Sequence, residues 1–246
     1  MGEACVVDSA LVPERSKPGD TARVRTTIGG AHGSEHLVQR LIRYERGRSL
    51  PAHDDERDEI AFVLSGVGTL ELGGDLHELE PETSYWVPAG ETALLDNPGP
   101  DDLVVLSVTA PSARRVAERR PIVRFGDQPE LRADAMRTFR YLANQAAGCS
   151  SATQFVGIVQ PYRAPDHSHV YDEVGFILEG EGFAHVDGRS LPLRAGSCFH
   201  LPPEKVHCIE NAGSGPMRIL GVFHPSGDPA SRTYDEAALT AEGGSR

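Results

Sequence analysis

The sequence predicts an all-β protein built from two consecutive small β-barrels. Three observations support this fold class. The chain repeats itself at a fixed offset of 114 residues, its apolar segments are short and separated by turns rich in glycine and proline, and neither repeat contains an amphipathic stretch of helical length. Short strands at close spacing are typical of sandwiches and barrels. The 246 residues can form two domains of about 110 to 120 residues each.

The two repeats align without a gap from about residue 50 to residue 108. The matched positions include glycines, prolines and polar residues in a single register, a pattern that indicates a tandem duplication. The clearest pairs are Pro51 with Pro165, His53 with His167, Glu59 with Glu173, Phe62 with Phe176, Gly66 with Gly180, Gly68 with Gly182, Pro88 with Pro202 and Asn97 with Asn211.

Each repeat contains the same series of predicted strands. The first part is an apolar run with two glycines at its centre, and it ends in a turn dipeptide, at residues 60–74 and again at 174–188. Further strands are expected at 83–90 and 102–108 in the first repeat and at 197–204 and 217–223 in the second.

The predicted domains are residues 21–112 and residues 135–226. Helix is expected only outside the repeats, because the stretches with helical character lie in the linker and in the tail. We therefore predict a short helix within 129–142 and another within 231–241.

Composition excludes several classes of partner. A formal net charge of −12 argues against nucleic acid and against anionic membranes. The chain has no apolar run of membrane-spanning length and no N-terminal signal layout, so we expect a cytoplasmic protein. Its four cysteines show no Cys-x-x-Cys spacing and are expected to be reduced thiols.

Four residues of the second repeat form a candidate metal site. His167 and His169 project from the same face of a strand, because alternate residues of a strand point the same way. Glu173 can join that face, and His207 follows 34 residues later. Three imidazoles and one carboxylate suit Fe(II), Mn(II), Ni(II), Co(II) or Zn(II), and leave positions for water or substrate on a six-coordinate ion.

The spacing of these residues resembles the two motifs of the cupin superfamily. The first motif is Gly-x5-His-x-His-x3/4-Glu-x6-Gly, and it is matched by His167, His169, Glu173 and Gly180, although Pro161 replaces its first glycine.

The second motif, Gly-x5-Pro-x-Gly-x2-His-x3-Asn, is matched by Gly196, Pro202, His207 and Asn211, with Glu204 in place of the inner glycine. Because the resemblance covers about 37–108 as well as 150–224, the chain is similar to bicupins. It implies two jelly-roll barrels, also called double-stranded β-helices, and one divalent transition metal per chain, with Fe(II) or Mn(II) favoured.

The first repeat has lost part of the ligand set. His53 and Glu59 persist, but Asp55 stands at the position of His169 and Ala93 at that of His207. Alanine has no atom that can bind a metal, so no functional metal is expected there. The first barrel is expected to stabilise the second or to pack in an oligomer, such as a homodimer.

Three further polar residues are candidates for the pocket. His200 precedes the second motif and, as a lumen residue, could exchange protons with a substrate; an outward-facing or hydrogen-bonded core histidine is the alternative. Arg163 lies an even number of residues from His167, so in an extended strand it would share the face of His167 and could hold a substrate carboxylate. The alternative is an ordinary surface arginine. Tyr162 is a weaker candidate for substrate binding.

The resemblance implies a metal-dependent enzyme that acts on a small molecule, and a dioxygenase-type oxidoreductase is favoured. In that case open positions on the metal take O2 and substrate. The alternatives are a non-oxidative isomerase, lyase or hydrolase with a Lewis-acid metal, and a non-catalytic binding protein. Bicupins with two metal sites, such as oxalate decarboxylases, retain ligands in both barrels, and Asp55 and Ala93 depart from that pattern.

Overall fold

The computed structural model describes residues 4–113, 119–231 and 233–234. These residues form β-strands joined by turns and by four short 3-10 turns, and they contain no α-helix. No helix among them is long and apolar enough to span a bilayer. The all-β prediction is confirmed.

The strands follow one another closely along each half of the chain. The first twelve are β1 (Cys5–Asp8), β2 (Arg15–Ser16), β3 (Ala22–Ile28), β4 (Val38–Tyr44), β5 (Gly47–Arg48), β6 (Ala52–His53), β7 (Arg57–Ser65), β8 (Gly68–Leu72), β9 (Asp75–Leu79), β10 (Thr83–Val87), β11 (Thr92–Asn97) and β12 (Leu103–Pro111). The others are β13 (Ile122–Arg124), β14 (Leu131–Arg132), β15 (Arg137–Ala143), β16 (Thr153–Val159), β17 (Tyr162–Arg163), β18 (His167–Ser168), β19 (Asp172–Glu179), β20 (Glu181–Val186), β21 (Arg189–Arg194), β22 (Ser197–Leu201), β23 (His207–Asn211), β24 (Met217–His224) and β25 (Thr233–Tyr234). The 3-10 turns are Ser9–Leu11, Gly30–His32, Phe125–Asp127 and Gln145–Ala147.

Each half forms a jelly-roll barrel from one large and one smaller antiparallel sheet. In the first barrel the large sheet has the order β13-β10-β7-β12-β4-β3-β2, and the smaller sheet has the order β5-β11-β8-β9, with β6 beside β11. In the second barrel the orders are β1-β22-β19-β24-β16-β15-β14 and β21-β20-β23-β18-β25, with β17 beside β23. The prediction of two consecutive barrels is confirmed.

The two halves exchange their first strands. Strand β1, at the start of the chain, pairs with β22 of the second barrel, and β13, at the start of the second half, pairs with β10 of the first barrel. The predicted domain ranges 21–112 and 135–226 leave out both of these strands. Whether either range folds as an independent domain stays a prediction.

The large sheets are buried on both faces. In strand β10, Tyr85 packs inside the first barrel, whereas Trp86 belongs to a cluster between the halves. That cluster also contains Phe62 from the first half and Val174 and Phe176 from the second half. Alternate residues of each large sheet therefore serve two different cores.

The predicted linker helix is wrong. Residues 129–142 instead contain β14 and most of β15, and β15 pairs with β16 along its whole length. In β15, Phe139 packs against Phe155 of the neighbouring strand. Tertiary pairing has overridden the local preference. The predicted tail helix lies mostly outside the described residues, although Thr233–Tyr234 is a strand.

Candidate metal centre

The four predicted metal ligands come together at one end of the second barrel. Strand β18 pairs with β23, and this pairing places His167 directly opposite His207. Glu173 comes from β19 in the large sheet, and His169 lies in the short connection between β18 and β19. All four side chains are buried. The site therefore forms where the two sheets of the barrel approach each other.

Backbone carbonyls fix the orientation of all three imidazoles. The Nδ1 atom of His167 lies 2.9 Å from the Pro165 carbonyl oxygen, and that of His207 lies 2.8 Å from the Lys205 carbonyl oxygen. The Nδ1 atom of His169 is 3.1 Å from the carbonyl oxygen of Tyr171. Since a carbonyl oxygen only accepts, each Nδ1 carries the proton and each Nε2 is left as the ligand atom.

The ligand atoms converge on a small volume. Those of His169, Glu173 and His207 all lie within 4.8 Å of one another, and His169 Nε2 is 2.8 Å from Glu173 Oε2. The His167 ring is 4.7 Å, centroid to centroid, from the His207 ring and 6.5 Å from the His169 ring. The nitrogen and oxygen donor set and its oriented imidazoles fit a divalent transition metal.

The histidines have different proton affinities. Burial lowers the pKa of His167 to about 4, and the charge of Arg137 acts in the same direction. Burial also lowers the pKa of His207 to about 4. At His169 the effect of burial is outweighed by the hydrogen bond and the charge of Glu173, so the pKa is raised from 6.5. At pH 6 the imidazoles of His167 and His207 are therefore neutral, whereas that of His169 is protonated.

Metal binding should therefore release about one proton per site at pH 6. Three histidines with an ordinary pKa of 6.5 would release about two, because each is roughly three-quarters protonated at that pH. Titration calorimetry with Co(II), in buffers with different ionisation enthalpies, measures this number. Release of two or more protons would contradict the assignment of His167 and His207 as neutral before the metal arrives.

A small apolar cavity adjoins the ligands. Its volume is about 90 Å³, and apolar side chains form most of its walls. Among the described residues that line it, the ionisable side chains are the four ligands and Arg137. Its aromatic walls are Phe139, Phe155, Phe199 and Phe223. The cavity can accept a small and largely apolar molecule next to the metal.

His200 lies on the opposite face of its strand from the cavity. Its neighbour Leu201 lines the cavity, whereas the Nε2 atom of the buried His200 is 2.7 Å from Asp172 Oδ1. Asp172 in turn accepts hydrogen bonds from the Ser34 hydroxyl and the His36 amide of the first half. The expectation of a lumen position for His200 is thus corrected, because strand alternation points it at the junction of the halves.

The two predicted substrate-binding residues also lie outside the cavity lining. The half-exposed Arg163 contacts Asp166 at 3.4 Å and Cys208 Sγ at 3.4 Å. The Tyr162 hydroxyl is 3.4 Å from Asp134 Oδ2, and its ring lies 5.9 Å from the guanidinium carbon of Arg137. Arg137 itself was missed by sequence reasoning, because it lies in the segment that was predicted to be helical.

The first barrel has no corresponding cluster among the residues the structure describes. His53 is exposed and its Nε2 atom is 3.0 Å from the exposed carboxylate of Asp55. Glu59 is bound to the Ser107 hydroxyl at 2.5 Å, and Ala93 is buried in the apolar core. The loss of a functional metal site in this barrel stays a prediction.

Known proteins resemble the chain in sequence and in fold. A cupin-domain family pattern matches residues 40–109 and 156–223, together more than half of the chain. An uncharacterised protein of Methanocaldococcus jannaschii is 35% identical over 60 residues, which are 24% of this chain and 48% of that protein. An oxalate-binding protein of Thermotoga maritima is 34% identical over 58 residues, 23% of this chain and 48% of that protein. The chain thus spans about half the length of these relatives.

Solved structures with the same fold cover nearly the whole chain. A protein of Pseudomonas aeruginosa described as glyoxylate-induced has a TM-score of 0.77 and 16% identity, and the match covers 92% of this chain and 89% of that one. A variant of oxalate decarboxylase from Bacillus subtilis has a TM-score of 0.75 and 13% identity, covering 96% and 83%. At these identities the likeness concerns the fold. With both barrels matched by the family pattern, the chain belongs to the cupin family and is a bicupin.

Proposed function

We propose that the protein is a metal-dependent enzyme that acts on a small molecule in the second barrel, with dioxygenase-type chemistry. The observation that carries this proposal is the cluster of His169, Glu173 and His207 ligand atoms, with the His167 ring beside that of His207, next to an apolar cavity. Fe(II) or Mn(II) suits this donor set, and such an ion, when bound, supplies redox chemistry and open positions for O2 and substrate.

The cavity lining favours oxidative over acid–base chemistry. An isomerase, lyase or hydrolase that relies on a side chain for proton transfer needs an acid or base within hydrogen-bonding reach of the substrate. Among the described lining residues, every carboxylate and imidazole is a metal ligand, and Arg137 is too basic to act as a base. The chain's own contribution is to hold the substrate and to exclude water with its aromatic walls.

Non-catalytic ligand binding is the second candidate. It is supported by the relative of Thermotoga maritima that is named an oxalate-binding protein and is 34% identical over 58 residues. A non-oxidative reaction with a Lewis-acid metal is the other alternative. Cytoplasmic location, a small-molecule substrate and a homodimer remain predictions; sedimentation analysis of the purified chain tests the last of these.

Oxygen consumption separates these candidates. The protein is loaded with Fe(II) under argon and is then assayed in an oxygen electrode with small enolisable acids and with catechol. We expect O2 uptake equal to substrate loss, and both atoms of labelled O2 in the product. Turnover without O2, or with Zn(II) in place of Fe(II), would contradict the dioxygenase, and tight binding without any turnover would favour the binding protein.

A further inference from the structure

We propose that Arg137 binds the carboxylate of a small monocarboxylic acid that occupies the apolar cavity beside the metal centre. This inference rests on the proposed function of the site, and it adds the chemical class of the ligand and the residue that selects it. Among the described residues that line the cavity, Arg137 is the one charged side chain besides the four candidate metal ligands.

The fold directs Arg137 into the cavity. In β15 it pairs with Val159 of β16, and Phe139 follows two residues later on the same face. All three of these residues line the cavity, as does the ligand His167. The side chain of Arg137 is only 10% exposed, so its charge is directed inward and not toward bulk water.

The guanidinium of Arg137 has hydrogen-bond donors that Asp134 does not use. Its Nε donates to Asp134 Oδ2 at 2.6 Å, and its Nη2 lies against that same oxygen. The Nη2 atom is nevertheless buried without a well-oriented hydrogen bond. An arginine has five N–H groups. Asp134 occupies only the side of the guanidinium that carries Nε and Nη2. Among the described residues, none forms a hydrogen bond or ion pair with Nη1, which leaves this side for a carboxylate that matches the guanidinium geometry.

The charge balance of the site favours one anionic group. A divalent ion with three neutral imidazoles and the carboxylate of Glu173 carries a net charge of +1, and Arg137 and Asp134 cancel. A single carboxylate neutralises this charge, and burial of an uncompensated charge is costly. The remaining walls, which include Phe155, Phe223 and Ile219, suit a short hydrocarbon chain.

The first barrel shows that the fold itself does not need this arginine. There Ala22 pairs with Tyr44 as Arg137 pairs with Val159, and Ala22 and Tyr44 pack together in the core. Alanine thus suffices at this strand position in the barrel that lacks a metal cluster. The arginine and the four candidate ligands line one cavity in the second barrel, which supports a shared role.

The test compares an acid with its neutral isostere. The full-length protein, loaded with Mn(II), is titrated calorimetrically with butanoate and with butanamide. We expect butanoate to bind more tightly than butanamide. We expect Arg137→Gln to weaken butanoate binding about 10- to 100-fold, as for a lost hydrogen bond between charged groups, and to leave butanamide binding and Mn(II) content unchanged. Arg137→Lys should restore part of the affinity.

Two further variants keep the test decisive. Arg163→Gln removes an exposed arginine outside the cavity and should bind butanoate like the wild type. The double variant Asp134→Asn/Arg137→Gln avoids leaving the Asp134 carboxylate unpaired and should show the same loss as Arg137→Gln. Equal butanoate affinity in the wild type and Arg137→Gln, or no butanoate binding by Mn(II)-loaded wild type, would overturn the inference. Failure of the wild type to hold Mn(II) would instead refute the proposed function itself.

Discussion

His207→Ala should abolish stoichiometric metal binding, whereas Asp55→Ala should leave it unchanged at one ion per chain. His207 is buried, and its ligand atom lies within 4.8 Å of those of His169 and Glu173. Loss of a residue that merely orients a ligand costs about 10- to 100-fold in metal affinity, so loss of a ligand should cost at least about 100-fold. Elemental analysis and competition with a chromophoric chelator measure the two quantities.

Asp55 is a matched control because it occupies the position of His169 in the other repeat. Its side chain is 83% exposed and contacts the exposed His53. Thermal unfolding should show that both variants remain folded, which separates metal loss from unfolding. Equal metal loss in the two variants, or two ions per wild-type chain, would refute the assignment of the metal to the second barrel alone.

The clustering of the four candidate ligands could be anticipated from the sequence because it follows from strand parity and from motif spacing. His167 and His169 are two residues apart, and Glu173 and His207 lie in motifs of fixed spacing. Strand alternation also decides the position of His200, but it directs this side chain away from the cavity. Its neighbour Leu201 faces the cavity, so His200 must face the other half, where it meets Asp172.

Arg137 could not be found in the same way, because two features concealed it. The ligands of the two repeats are related by an offset of 114 residues, but the pairing of Ala22 with Tyr44 and of Arg137 with Val159 corresponds to an offset of 115. The connection between β16 and β18 is one residue shorter than its counterpart in the first repeat. The gapless alignment of the two repeats therefore does not extend back to β15. The segment also lacks strict alternation, and the place of β15 between β16 and β14 depends on pairing with β16, which is a tertiary contact.

The contacts at the junction between the halves support the expectation that the first barrel stabilises the second. Its core cluster takes Phe62 and Trp86 from the first half and Phe176 from the second, and Ser34 and His36 of the first half hold Asp172. Asp172 is adjacent to the ligand Glu173. The first barrel therefore buries the back of the sheet that carries the ligand, a role that needs apolar packing and no metal of its own.

Gly182→Ala should lower the free energy of unfolding by about 3 kcal/mol or more, the upper range for overpacking in a core. A Cβ atom at Gly182 would lie 1.8 Å from the carbonyl oxygen of Glu210, a backbone atom of β23 that cannot rotate away. Strand β20 pairs with β23 through this position, and β23 begins with His207. For a chain of this size, the expected fall in Tm is roughly 6 to 12 °C.

Gly30→Ala is the control, because a Cβ at Gly30 would meet no atom within 4 Å and the residue has no positive φ. Its effect should stay within about 0.5 kcal/mol. Denaturant unfolding of the metal-free proteins measures both changes. Since the clash at Gly182 pushes on the strand that carries His207, the Gly182 variant should also bind metal more weakly than Gly30→Ala. A stable Gly182 variant with unchanged metal affinity would mean that β20 and β23 can separate locally, and would contradict the close strand contact on which the site depends.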